Sequence, residues 1–350
     1  MLPSTWSTID FFLKSLQDDY LKWIESYLCG RVQSVWIDNI LSDFLPCEAG
    51  VPQGSILGPL LFLIFFNDLA CNVKSSIDAY ADDTAGHTVE QVKSQLTKDC
   101  QQISTWMQSN KLKMNPQKTQ LMAMGTQKRL GNVRPLKVIV DNVTIQEDRD
   151  KCQTLLGCNI FSNMKWDHHV NTLEKKLATR LNGLRQIKFA CSYPLRKRFV
   201  EGLFNSVLVY CLPVFGGLEV SQLNRLQILQ NKAARLVLHA PPRAKRKDMF
   251  EKLKWFTINQ LISYHTLLSV FKIKCKKEPE YLANFLCIES RNHRIVVPRQ
   301  TLTIGARSFC YRGAAQWNKL PVDLRMSSKI GTFKAGVRKW IFQNVPRFLD

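Results

Sequence analysis

The run 56-ILGPLLFLIFF-66 is eleven residues long and carries no charge. A helix that crosses a bilayer needs about 20 apolar residues, so this run is predicted to be core. Gly58 and Pro59 lie inside it. The spacing therefore predicts a Gly/Pro-rich loop over 50–59 that opens an apolar helix buried on most sides. A chain of 350 residues with 45% hydrophobic content can build such a core, and its length suits about two or three domains or subdomains. The opening 1-MLPSTWSTIDFF-12 lacks a basic stretch followed by an apolar one, which argues against a secretory signal. An intracellular protein of the cytoplasm or nucleus is expected, with no membrane partner.

Charge is distributed unevenly. The formal net charge is +21; residues 1–125 hold nine Lys and Arg against thirteen Asp and Glu, and residues 126–350 hold forty against fifteen. Such clustering favours an anionic partner for the later part of the chain, nucleic acid above all. The eleven cysteines include no Cys-x-x-Cys pair, so neither a disulfide framework nor a zinc site is predicted. His168 and His169 read as helix-start residues.

Periodicity gives the organisation. Leu16, Tyr20, Trp23, Ile24 and Tyr27 mark a helix ending near Gly30, and 32-VQSVWID-38 reads as a strand. Residues 75–88 alternate and then turn at Asp82-Asp83, which predicts a hairpin with the carboxylates at its tip. A helix follows, from Val89 to about Ser109, with Pro116 beyond it as a stop. Strands are expected in 136–147, turning at Asp141-Asn142, and in 154–161. Val170, Leu173, Leu177, Leu181 and Leu184 then form a helical stripe, with Lys175, Lys176 and Arg180 on the other face. From there to about 285 the chain reads as mostly helical, with a joint at 239-HAPPRAKRKD-248.

Three separated pieces, 50-GVPQGSILGPLLF-62, 80-YADDT-84 and 110-NKLKMNPQKT-119, carry the chemistry. In order and spacing they resemble the palm of reverse transcriptases of non-LTR retrotransposons, of the jockey-like kind. The stretches 156-LGCNIFSNMKWDHHV-170 and 311-YRGAAQWNKLPVDLR-325 are similar to later segments of the same family. The resemblance implies an α+β fold: a partial polymerase palm over 1–160, a helical thumb-like region over 161–240, and a basic, mostly helical region over 241–350. The palm would be a small antiparallel sheet with helices.

The implied activity is RNA-directed DNA polymerisation, with an RNA template, a DNA primer and deoxynucleotides as partners and two magnesium ions as cofactors. Nucleotidyl transfer depends on positioning and on neutralising charge, and magnesium prefers hard oxygen ligands. By resemblance, Asp82 is the direct metal ligand and Asp83 the supporting one. Pro52, Gln53 and Gly54 would meet the template base and incoming nucleotide, and Tyr80 the primer end. Lys118 would protonate or neutralise the leaving pyrophosphate, a solvated lysine being the plainer reading. Among the basic residues, Lys175, Lys176, Arg180, Arg243, Lys245, Arg246 and Lys247 are the nucleic-acid-binding candidates. Trp255, Phe256, Tyr264, Phe271, Tyr311 and Trp317 fall within apolar stripes and are expected mostly in the core.

The family's first aspartate lies in a Phe-x-Asp-like segment upstream of the Pro-Gln-Gly loop, and no such segment precedes Gly50. The expectation is a reverse transcriptase lacking its fingers and first catalytic strand, and inactive alone. The competing expectation is a non-catalytic nucleic-acid-binding protein derived from a mobile element.

Overall fold

The computed structural model describes residues 18–47, 50–52, 54–67, 69, 76–78, 81–83, 89–112, 114–115, 117–132, 134–276, 279–286, 292–300 and 303–346; for 18, 21, 67, 76–78, 81–83, 89–92, 129, 281 and 304 it describes the backbone alone. The chain divides into two units, residues 1–156 and 157–350.

The first unit mixes helices with short antiparallel pairs. Helix α1, Asp18–Leu28, stops before Gly30, whose φ is +67°. Strand β1, Val32–Gln33, pairs with β4, Leu45–Pro46. Between them β2, Trp36–Ile37, and β3, Ile40–Leu41, form a hairpin over Asp38 and Asn39, at φ +47° and +65°. The strand expected over 32–38 is thus two strands in different sheets. The same dipeptide closes the hairpin of β7, Lys137–Val140, and β8, Val143–Gln146, with Asp141 and Asn142 at φ +48° and +64°. Paired positive φ is the type I′ turn, whose twist matches that of the flanking strands.

Helix α2, Gly58–Asn67, and helix α3, Val89–Ser109, flank the hairpin of β5, Ser76–Asp78, and β6, Ala81–Asp83. Phe65 and Phe66 of α2 pack on Trp106 of α3, with ring centroids 5.4 and 6.1 Å apart. The expected burial of α2 on most sides is not met: Leu60, Phe62 and Leu63 are exposed, and Ile56 is 96% exposed. A helix apolar all round needs partners on every side, and the described residues cover one. Val138, Val140 and Ile145 make a small core with Leu96, Cys100, Met114 and Leu121. A short helix α4, Gln127–Gly131, precedes β7, and β9, Gln153–Leu155, closes the unit.

The second unit opens with β10, Cys158–Ile160, and is otherwise mostly helical. Helix α5, Asp167–Gln186, begins at the His168-His169 pair and buries its leucine stripe as the periodicity requires. Helix α6, Tyr193–Val200, runs through one π turn, Glu201–Asn205, into α7, Ser206–Val209; α8, Leu212–Phe215, follows. Helix α9, Val220–Leu238, lies along α5 and starts with a capping box, Gln222 accepting from the Glu219 amide at 3.0 Å. Gln222 also donates to Asp167 at 2.7 Å, which fixes the two helix starts together. Pro241-Pro242 separates α9 from α10, Arg246–Leu253, yet Val237 on one side and Phe250 on the other share one core.

Helix α11, Ile258–Lys276, passes from this core into a second one. It is followed by α12, Glu280–Phe285; α13, Thr303–Ala306; α14, Phe309–Asn318; α15, Val322–Arg325; and α16, Ile330–Asn344. Phe333 stacks between Phe271 and Trp317, at 4.2 and 5.6 Å between centroids. Of the aromatics expected in the core, Trp255, Phe256, Phe271 and Trp317 are buried, and Tyr264 and Tyr311 are half-buried. Among the described residues, no helix is long and apolar enough to cross a membrane.

Candidate active site and nucleic-acid interface

The loop before α2 is a built turn. The Ser55 amide donates to the Pro52 carbonyl at 3.3 Å, and Gly54 stands third in the turn at φ +82°. A positive φ at the third position of a turn calls for glycine. The Ser55 hydroxyl donates to the Pro52 carbonyl at 2.7 Å and accepts from the Gly58 amide at 3.0 Å, so one side chain both closes the turn and caps α2. Arg31 reaches back from the end of α1 to the Gly50 carbonyl at 2.5 Å and anchors the loop's other end. Gln53 lies outside the described residues.

The carboxylates sit differently from the expectation. The β5–β6 register is Ser76 with Asp83, Ile77 with Asp82 and Asp78 with Ala81. Asp82 and Asp83 therefore lie on the second strand and not at the hairpin's tip. Tyr80 lies outside the described residues, as do the side chains of Asp82 and Asp83. Among the described residues no group of three His, Cys, Asp or Glu could hold a metal ion. As a donor set, two adjacent carboxylates supply the hard oxygens that magnesium takes.

Lys118 stands on a turn organised by Asn115. The Asn115 side-chain oxygen accepts from the amides of Gln117 and Lys118 at 3.0 and 3.3 Å, and its carbonyl accepts from Lys118 and Thr119 at 3.1 and 3.0 Å. The Lys118 side chain is exposed. Beyond the turn, Glu147 gathers the chain. Its carboxylate accepts from the Ala123 amide at 3.2 Å, the Leu136 amide at 2.9 Å and Arg149 at 3.0 Å. Burial alone would raise its pKa, but these donors win and hold it below the ordinary carboxylate value. Asn115 and Ser55 lie within the quoted motif stretches but had no role assigned, and Glu147 lies outside those stretches. Only Asn115 had a usable signal, the affinity of Asn for turns before Pro.

In the second unit, Lys175, Lys176 and Arg180 are exposed on α5, and Arg180 also donates to the Leu203 carbonyl at 2.8 Å. Arg243, Lys245, Arg246 and Lys247 are exposed where the chain leaves Pro241-Pro242 and enters α10. This unit holds thirty-four Lys and Arg against eleven Asp and Glu. Such a surface suits a polyanion. The Trp-Asn pair of 311–325 is structural: the Trp317 indole donates to the His293 carbonyl at 3.0 Å, and Asn318 exchanges bonds with the Ile295 backbone at 2.9 and 2.8 Å.

Comparison with known proteins bears on this arrangement. The family described as reverse transcriptase (RNA-dependent DNA polymerase) matches residues 6–160, which include the Pro-Gln-Gly turn, the Asp82-Asp83 strand and the Asn115 turn. Residues 6–160 are thus similar to a reverse transcriptase domain, and the relatives that the chain matches are polymerases of mobile elements. The chain is 27% identical over 262 residues to the probable RNA-directed DNA polymerase from transposon BS of Drosophila melanogaster, covering 71% of this chain and 28% of that protein. The RNA-directed DNA polymerase from mobile element jockey of the same organism is 25% identical over 246 residues, 66% of this chain and 26% of the relative. The probable polymerase from transposon X-element, also of Drosophila melanogaster, is 22% identical over 318 residues, 84% and 34% of the two chains. The chain thus spans between about a quarter and a third of the length of these relatives. No solved structure gives a significant match.

Proposed function

We propose that this chain contributes the nucleotidyl-transfer palm of an RNA-directed DNA polymerase, with a basic second unit that holds template and primer. The observation that supports this reading is the succession within residues 6–160 of a glycine-dependent turn, an Asp-Asp strand and a lysine-bearing Asx turn. Asp82 and Asp83 would hold the divalent cations, whose chemistry is to neutralise charge on the transferring phosphoryl group. Pro52, Gln53 and Gly54 line the approach of the templating base and nucleotide, with Tyr80 at the primer end. Lys118, exposed on its rigid turn, neutralises or protonates departing pyrophosphate. Residues 1–160 form the partial palm, 161–240 the thumb-like region and 241–350 the basic C-terminal region. Lys175, Lys176, Arg180 and the 243–247 run bind phosphates. The protein acts inside the cell, in cytoplasm or nucleus.

The test is the stability of a complex of the whole chain with an RNA template and DNA primer, measured with and without Mg²⁺ and the next complementary deoxynucleotide. Nucleotide and Mg²⁺ together are expected to slow dissociation, and Asp82→Asn to remove that effect. A complex indifferent to metal, nucleotide and Asp82 would favour a non-catalytic nucleic-acid-binding protein instead.

A further inference from the structure

In the second unit, the start of α11, the end of α14 and the end of α16 enclose a cleft of about 440 Å³. Its lining includes three amides, Asn259, Gln316 and Asn344, together with Ser263, Trp340 and Lys319. The volume falls within the range of small-ligand sites. The cleft is held open by its own hydrogen bonds. Gln260 donates to the Val345 carbonyl at 3.1 Å and Asn259 to the Pro346 carbonyl at 3.5 Å, which pins the end of α16 against the start of α11. Asn344 is turned back onto the Trp340 carbonyl at 2.9 Å. The side-chain oxygen of Gln316 is buried and has no hydrogen-bond partner. A buried acceptor left unpaired is costly, so a ligand that brings an N–H to it gains what the free protein lacks.

No carboxylate lines the cleft, which disfavours a cation, and its amides disfavour a purely apolar ligand. An aromatic face, amides that donate and accept, and one ammonium group together match the parts of a nucleotide: a π-face to stack, a base edge to pair and a phosphate to neutralise. We infer that this cleft takes one unpaired base of a single-stranded nucleic acid, stacked on Trp340, with its edge on Gln316 and its phosphate on Lys319. The inference rests on the proposed nucleic-acid-binding role of the basic unit and adds a base-reading site to it.

The test uses the whole chain and a single-stranded RNA 12-mer carrying 2-aminopurine, whose fluorescence is quenched on stacking. Binding is expected to quench the probe, and Trp340→Leu to abolish the quench and weaken binding about tenfold. Trp340 packs partly against the second core, so Gln316→Leu, which keeps the side chain's size, serves as the second variant. It is expected to weaken binding without lowering the thermal unfolding midpoint. Equal affinity and equal quenching in both variants would overturn the cleft assignment alone, while salt-dependent binding persisted. Failure of the unaltered chain to bind RNA would overturn the broader binding role as well.

Discussion

Arg312, on α14, donates through Nη2 to the carbonyl of Pro213 at 2.8 Å, across ninety-nine positions of the chain. Its Nε donates to the Arg307 carbonyl at 2.9 Å. Burial depresses its pKa to about 10, still leaving the guanidinium charged at neutral pH. Arg312→Ala would remove these donors and leave carbonyls unsatisfied. A loss of about 2–4 kcal/mol in unfolding free energy is expected, measured by urea denaturation; a change under 0.5 kcal/mol, as on an open surface, would show the bonds to be idle.

Gly217 lies where α8 meets the segment before α14. A Cβ built there would stand 2.4 Å from the Arg307 carbonyl oxygen and 2.9 Å from its Cβ. Backbone cannot yield as a flexible side chain can. Gly217→Ala is therefore expected to destabilise the protein by about 1–3 kcal/mol and lower its unfolding midpoint. An unchanged midpoint would contradict this packing.

His169 is buried beside Phe215, with ring centroids 4.5 Å apart, and its Nδ1 faces the Asn159 amide at 3.3 Å. Burial, with Lys176 and His168 adding to it, lowers its pKa to about 4. A histidine kept neutral in the fold binds its proton more readily when unfolded. Its stabilising share is complete above the ordinary value near 6.5 and is lost as pH falls from there towards 4. Denaturant titrations should show stability falling by on the order of 3 kcal/mol across that window. His169→Gln should flatten the slope, and an equally steep slope in that variant would remove His169 as its source.

Two of these three residues were hidden from the sequence. Arg312 and Gly217 depend on backbone atoms far along the chain, which no local pattern encodes. The α5 stripe, by contrast, was legible because a 3.6 period survives over five leucine and valine positions. Asp141-Asn142 was read as a turn because long alternating flanks surround it. Asp38-Asn39 adopts the same conformation between two-residue strands and gave no such signal. The Asp82-Asp83 turn was misplaced because three-residue strands are too short to fix a register by alternation. The candidate site was legible as motifs, whereas its scaffolding by Ser55, Asn115 and Glu147 required coordinates.

Replacing Arg243, Lys245, Arg246 and Lys247 together by alanine is expected to reduce the salt dependence of RNA binding. Each phosphate contact contributes about 0.7 to the slope of log affinity against log salt for single strands. A fall of about 2 to 3 in that slope is the predicted result of fluorescence anisotropy titrations. An unaltered slope would take this run out of the interface and leave Lys175, Lys176 and Arg180.

The most direct measurement is Mn²⁺ binding by the whole chain with template and primer present, followed by electron paramagnetic resonance. The account predicts bound Mn²⁺ whose affinity drops by about tenfold or more when Asp82 and Asp83 are both replaced by asparagine. The same titration curve for both proteins would contradict the assignment of these carboxylates as metal ligands.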